Sequence, residues 1–554
     1  MGSKTDNWQD IAKQKQQDIK AAIPSKWVIP DEKLPSESQA DVSNFLSQSG
    51  FFTNREIEIV STDALKTLSY LSTGSWKSED VTLAYCKAAA AAHQLTNCLS
   101  EIFFDEAIAR AKECDDYLQK HGRPKGPFHG FPISIKDNFN IIGKPSTIGI
   151  ALLANTPATY NSTIVDLILQ AGAVLYVKTN VPTAVMLGET VNNVTGRTLN
   201  PLNRSLTSGG SSGGESALIA FGGSRIGVGS DIGENTIFTG EVEYDLTYHA
   251  IGGSLRIPAA CTGIFTIRPS AGRFPHCRAR SGLAGQEAVM SVNGPLAKTL
   301  EEIVFYSKTI IDQMPWLHDP KCLPIPWRTV EPKRRLKLAV MWNDGLVTPT
   351  PPVARALKET AEKLKAAGHE LIDWEPTGHK EARDLLRRMF VADGAKSIRK
   401  LLEPTGEPFR PEMGSYEKSQ EMGVYEMWQL QVDRSDLQKN YLDHWNSVGE
   451  LDGILCPTSP YSSVEHGKFE YGGYTGAYNL LDYSAVSFPC GIKVDENVDA
   501  AYSGHNPLSE FDVQVQGSYN ASLVHGMPVS LQLVARRLEE EKVLVMTETV
   551  LKSL

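Results

Sequence analysis

The stretch Gly209-Gly210-Ser211-Ser212-Gly213-Gly214-Glu215-Ser216-Ala217-Leu218 changes character halfway along. Paired glycines flank two serines, so other backbone can approach closely and unusual φ/ψ values are open there. An Ala/Leu/Ile/Ala run follows and reads as a helix. The loop therefore opens at a helix N-terminus, where backbone N–H groups point outward. Such a start can cradle phosphate, but no Gly-Lys-Ser or Gly-Lys-Thr follows, which argues against a P-loop. A flexible Gly/Ser loop and a reactive serine loop both remain open on this segment alone.

Working outward, short apolar runs alternate with helical patterns. Phe131–Ile135, Ala173–Val177, Leu336–Met341 and Glu370–Trp374 read as strands. Helices are expected over Glu79–Leu95 with Ser78 as cap, over Phe104–His121 with Gly122 at its end, over Ser162–Gln170, and over Pro352–Ala367 with Pro352 near its start. The turn-rich stretches Thr348–Val353 and Pro404–Ser415 read as loops. Strands alternating with helices mean an α/β fold with a largely buried sheet. No internal repeat and no long linker interrupts the pattern.

Composition narrows the function. The chain has 554 residues, 41% hydrophobic and 22% charged, as expected of a folded chain with a large core. Lys and Arg total 55 against 65 Asp and Glu, a net charge of −10, so no nucleic-acid partner is expected. The eight cysteines form no Cys-x-x-Cys pair and read as reduced thiols. The histidines form no His-Glu-x-x-His, and no metal site is expected. The N-terminus lacks an apolar signal region, no run is long enough to span a membrane, and the cytoplasm is the default location.

Two further segments carry chemistry. Lys136 ends the strand of Gly130–Asn138. A lysine there is either a snorkelling edge residue or a buried base, because burial disfavours the ammonium. Gly229–Gly233 and Gly252–Ala259 present Ser254 directly after two glycines. That setting suits a nucleophile whose neighbouring N–H groups hold an oxyanion. A buried Lys with two Gly-embedded Ser describes a Ser–Lys hydrolase that needs no histidine.

The chain resembles the amidase signature family, and within it the fungal general amidases of the acetamidase type. The resemblance runs from about Gly74 to the C-terminus. It is carried by Gly130–Asn138, Thr179–Pro182, Gly188–Asn193, Gly196–Pro201, Gly209–Glu215, Gly253–Ala259, Arg268–Ser270, Leu480–Val486 and His525–Gln532. It implies one large α/β/α domain around a mixed, mostly parallel sheet, residues 74–554, with an N-terminal helical region, 1–73, packed on it. It implies a triad in which Lys136 is the general base, Ser211 the bridging serine after a cis peptide, and Ser254 the nucleophile, with Ser212 the alternative bridge. Ile251, Gly252, Gly253 and Ser254 would form the oxyanion hole, or Ile232 and Gly233 in place of the first residues. Val185, Met186 and Gly210 would line the substrate pocket, although Val185 and Met186 read equally well as core. The implied substrate is a small or medium amide, with no cofactor and no membrane span; a homodimer is left open. Arg256 and His525 read as structural.

One departure stands out. The family block Gly-Ser-Asp-Ile-Gly-Gly-Ser-Leu-Arg-Ile-Pro is split here by nineteen residues, Glu234–Gly252. Ser211 and Ser254 lie 43 apart, and without those nineteen they would lie 24 apart, the family spacing. The segment carries Glu234, Glu241, Glu243 and Asp245 and no Lys or Arg, so it supplies −4 of the −10. It reads as a loop or as a retained intron of 57 nucleotides, which codon degeneracy permits. Asp231 is pulled away in sequence from the serine it would otherwise approach. This form is expected to be weakly active or inactive. A disabled or binding-only homologue, a fatty-acid-amide or carbamate hydrolase, and an amidotransferase catalytic subunit are the alternatives.

Overall fold

The computed structural model describes residues 7–231, 234–237 and 248–554. Eleven strands form the main sheet: β1 (Leu99–Ile102), β2 (Pro132–Lys136), β3 (Val174–Thr179), β4 (Ile226–Asp231), β5 (Phe265–Arg268), β6 (Val292–Ala297), β7 (Lys337–Val340), β8 (Glu370–Asp373), β9 (Gly453–Pro457), β10 (Ser484–Lys493) and β11 (Pro528–Ala535). Their spatial order is β1-β3-β2-β4-β6-β5-β10-β11-β9-β7-β8. The sheet is mixed. β2 pairs parallel with β3 and β4, and β7 parallel with β8 and β9. The centre, from β4 through β6, β5, β10 and β11 to β9, is antiparallel. β2, β3 and β4 are buried along their whole length. Strands covered on both faces read as continuous apolar runs rather than alternations. The expected α/β architecture is present.

The elements follow the sequence reading closely, with shifts at their ends. Helix α1 runs Ser78–Thr96. Its N-terminus is capped differently from the expectation: the Asp115 carboxylate accepts from the N–H of Ser78 (2.7 Å) and Glu79 (3.0 Å), while the Ser78 hydroxyl donates to the Gly130 carbonyl. A carboxylate answers the helix dipole better than a hydroxyl does. Helix α2 runs Phe104–His121 and ends on Gly122 at φ 61, as expected. The helix expected from Pro352 starts at Pro351, so Thr348–Val353 is loop only in its first half. The stretch Pro404–Ser415, expected as loop, overlaps two short 3-10 turns, Glu403–Thr405 and Pro411–Met413, and the start of a one-turn helix, Gly414–Glu417.

Three helices frame the centre of the molecule: α3 (Gly213–Phe221), α4 (Arg256–Thr262) and α5 (Gly473–Leu481). α3 lies against β2, β3 and β4, and α4 against β5, β10 and β11. Between β4 and α4 the chain makes the excursion that splits the sequence block. Its ends pair as antiparallel strands, Glu234–Ile237 with Tyr248–Ile251, and Ile251 stands opposite Glu234. Excursion and return are thus closed at the base.

Near the N-terminus, Ile23, Trp27, Val42, Phe45 and Phe52 bury their side chains in the same apolar cluster as β2, β3 and α1. That burial explains why a polar, Gln/Lys-rich stretch holds a fixed position. No helix among the described residues is long and apolar enough to cross a membrane.

Candidate active site

Three buried side chains converge at the centre: Lys136 from the end of β2, Ser211 from the loop before α3, and Ser254 from the turn before α4, each 0% exposed. Lys136 Nζ donates to Ser211 Oγ at 2.7 Å and reaches the Ser230 carbonyl at 3.2 Å. The peptide bond between Gly210 and Ser211 is cis. Ser212, the alternative bridge, turns its hydroxyl to the Ser230 carbonyl (3.2 Å), and its N–H to the Ser254 carbonyl (3.2 Å). Ser211, not Ser212, therefore meets the lysine. Ser254 Oγ is buried and has no hydrogen-bond partner among the described residues. A buried hydroxyl left without a partner costs stability, and such a site calls for a functional account.

The local sequence explains the approach. A side chain at Gly210 would fall 2.5 Å from the Leu187 carbonyl, and one at Gly214 would fall 2.4 Å from the Asn180 N–H. Both glycines let the serine loop press against the chain after β3. Val185 and Met186, on that chain, are buried in an apolar cluster with Ile148, Leu283, Phe390 and Leu480. Ala184 and Val185 both have positive φ, at 59° and 66°. A β-branched residue there is a genuine outlier, held only by its surroundings.

The turn before Ser254 is clamped. The Gly253 N–H donates to Asp231 Oδ1 (2.9 Å), and Asn479 Nδ2 donates to the same oxygen (2.7 Å). Arg256 faces Asp231 Oδ2 at 3.6 Å; it also donates to Gln532 Oε1 (3.0 Å), the Thr475 carbonyl (3.1 Å) and Asn479 Oδ1. The Thr475 hydroxyl donates to the Gly252 carbonyl. Burial lowers the Arg256 guanidinium to about 10, with Asp231 opposing that shift. Asp231 is thus far from Gly253 in sequence but bonded to it in space. The Gly253 N–H, one of the expected oxyanion donors, is bonded to Asp231 here. Ile232 and Gly233, the alternative donors, lie outside the described residues.

Sequence reasoning passed over several residues that hold this site. Thr475, Asn479 and Gln532 come from α5 and β11, more than two hundred residues from the serine they support. Asp137 accepts from Ser100 Oγ (2.7 Å), Thr147 Oγ1 (3.1 Å) and the Ile148 N–H (2.7 Å), which ties the residue after Lys136 to its neighbours. His525 accepts from the Glu496 N–H at 3.2 Å, far from the serines in role, as a structural histidine would be. No group of three or more His, Cys, Asp or Glu able to hold a metal is present among the described residues.

Comparison with known proteins defines the class. The amidase family model matches residues 80–235 and 250–544, its break falling inside the split block. The chain belongs to the amidase family, the amidase signature enzymes, and is a hydrolase acting on amide C–N bonds. It is 36% identical to an acetamidase of Emericella nidulans, over 99% of this chain and 98% of that one. It is 38% identical to amidase 1 of Gibberella moniliformis, over 84% and 88%. Among solved structures it is similar to a fatty acid amide hydrolase, with a TM-score of 0.91 and 32% identity over 99% of this chain and 95% of that one.

Proposed function

We propose that the chain hydrolyses small or medium carboxylic amides to carboxylate and ammonia or amine through Lys136, Ser211 and Ser254. The observation that carries this is the 2.7 Å contact between Lys136 Nζ and Ser211 Oγ beside the unpartnered Ser254 Oγ. Neutral Lys136 takes the Ser211 proton as Ser211 takes that of Ser254. Ser254 Oγ then attacks the amide carbonyl carbon. With the Gly253 N–H committed to Asp231, the N–H groups of Ile251, Gly252 and Ser254 are the donors for the oxyanion. The tetrahedral species collapses, the relay returns the proton to the leaving nitrogen, and water hydrolyses the ester formed on Ser254. No step draws on a cofactor. Val185, Met186 and Gly210 stand as the wall of the acyl pocket.

The split block lowers the activity of this form in the same reading. Oxyanion donors need placement to within about 0.5 Å. The inserted residues replace two of the donor positions and add four acidic residues to the sequence block that carries Ser254. A fluorophosphonate probe should label the chain, and Ser254→Ala should abolish labelling; labelling that survives the substitution defeats the assignment. Removing residues 234–252 should raise turnover of acetamide, and equal turnover of both forms refutes the impairment.

The 0.91 TM-score to a fatty acid amide hydrolase favours a second substrate reading, long-chain amides. A panel from acetamide to long-chain acyl amides ranks the two by kcat/KM.

A further inference from the structure

Glu215 opens helix α3 four residues after Ser211, and it is fully buried. Its carboxyl rests on the sheet beneath the serine loop. Oε2 accepts from Thr179 Oγ1 on β3 at 2.7 Å, and Oε1 is bonded to Ser134 Oγ on β2. A side chain at Gly227 on β4 would fall 1.8 Å from Oε1, so only glycine there leaves room for the carboxyl. Ser134 and Lys136 are two apart on β2 and project to the same face. The strand therefore holds both ends of the segment 211–215: Lys136 grips Ser211, and Ser134 grips Glu215.

The hydroxyls around this carboxyl admit two proton orderings. Ser134 Oγ also touches Ser224 Oγ at 2.8 Å, and Ser224 Oγ reaches the Ile226 carbonyl at 3.0 Å. Each serine has one proton to give. With Glu215 ionised, Ser134 donates to Glu215 and Ser224 donates to Ser134. With Glu215 protonated, Glu215 donates to Ser134, Ser134 to Ser224, and Ser224 to the Ile226 carbonyl. Neither ordering moves a heavy atom, so the network tolerates both charge states.

We propose that Glu215 and Lys136 share one ionisation between them, so that Glu215, which touches no substrate, sets the pH at which Lys136 becomes a free base. This rests on Lys136 being the base of the proposed reaction. Burial raises the Glu215 carboxyl to about 7, opposed by the hydrogen bonds from Ser134 and Thr179 and by the charge of Lys136. Among the described residues, Lys136 on β2, Tyr176 on β3 and Cys98 ahead of β1 interact electrostatically with Glu215. Burial holds the Cys98 thiol up at about 12 and Tyr176 well above its ordinary value, so both stay neutral through the working range. Lys136 is then the group whose charge Glu215 senses near neutral pH; His276, which also feels the Lys136 charge, is held down to about 4 by burial and stays neutral there. Asp137, the residue that follows β2, lies 3.8 Å from Lys178. Interacting groups of this kind titrate as a pair, with apparent values that belong to both.

The sign follows from charge alone. A Glu215 carboxylate favours the ammonium form of Lys136 and delays release of the base. Glu215→Gln removes that charge and keeps both contacts, its amide oxygen accepting from Thr179 and its amide nitrogen donating to Ser134. The acid limb of kcat/KM should move to lower pH by about one unit, about tenfold in rate below both midpoints. The rate of fluorophosphonate labelling at Ser254 should shift with it. Thr179→Val removes one donor to the carboxylate, favours its neutral form, and should move the limb the same way by less. If Glu215→Gln does not fold, the Thr179→Val limb decides alone. Limbs that coincide with the parent, with only a lowered plateau, make Glu215 a packing residue and overturn the proposal; a limb moved to higher pH overturns it too. Lys136→Ala separates the two layers: labelling at the parent rate in that variant removes the base itself, whatever Glu215 does.

Discussion

Asp231→Ala tests whether the clamp across the split block holds the turn before Ser254, the proposed nucleophile. The carboxylate is fully buried and answers three groups: the Gly253 N–H at 2.9 Å, Asn479 Nδ2 at 2.7 Å and the Arg256 guanidinium at 3.6 Å. Alanine leaves all three buried and unanswered on that side. Breaking a buried pair by removing one partner costs ~3–5 kcal/mol, and much of that cost is the stranded arginine. The catalytic loss is set separately. If the freed Gly253 N–H lets the turn relax, one oxyanion donor moves out of place, worth a factor of about 10²–10³ in kcat. Asp231→Asn keeps an acceptor for Gly253 but drops the charge, so it should lose stability with a smaller effect on turnover. Urea denaturation gives the first quantity and kcat/KM on acetamide the second, with fluorophosphonate labelling as a substrate-free control. An Asp231→Ala protein with parental midpoint and kcat/KM within about threefold of the parent would refute the reasoning, because the turn would then be held by something else.

Other outcomes are as specific. Gly253→Ala places a methyl group 2.3 Å from Thr475 Oγ1 at a φ of 132°, so labelling of Ser254 should collapse with a stability cost of ~1–3 kcal/mol; normal labelling sinks the close-packing account. Glu470 is raised to about 7 by burial, and its Oε2 has no partner among the described residues. Its folded value lies above its unfolded one, so its contribution is complete below about pH 4.5 and lost as pH rises through 7. Glu470→Gln should therefore match the parent at low pH and exceed it by ~1–2 kcal/mol at pH 8, allowing for residual solvent. A gain that is constant with pH contradicts this. Gly227→Ala should unfold or severely weaken the chain through its 1.8 Å overlap with Glu215, whereas Gly526→Ala, with open space around it, should cost only its backbone strain; thermal melts compare the two.

What the sequence disclosed and what it withheld divide along physical lines. The strand Phe131–Ile135, the helix ending at Gly122 and the alternation of elements were legible because burial on two faces and a left-handed helix end leave marks in the local residue order. The meeting of Lys136 with Ser211 was legible through resemblance to other chains, not through spacing. Asn479, Thr475 and Gln532 were not legible, since ordinary polar residues acquire their role only when α5 and β11 fold against α4. Ser78 was misread as a cap because Asp115, distant in sequence, supplies a stronger acceptor. The split block hid its contacts in a similar way. Sequence shows only that Asp231 and Gly253 are far apart along the chain; the paired ends of the excursion and the bond between the two residues appear in the fold.

That clamp has a consequence for synthesis of the chain. Lys136, Ser211 and Ser254 are all made within the first half, whereas Thr475, Asn479 and Gln532 emerge near the end. A ribosome that stalls before α5 releases a product carrying Lys136, Ser211 and Ser254 and none of the late contacts to the turn before Ser254. A fragment ending before α5 should therefore fail to react with a fluorophosphonate at Ser254, and labelling at the parent rate would show that the late contacts are dispensable.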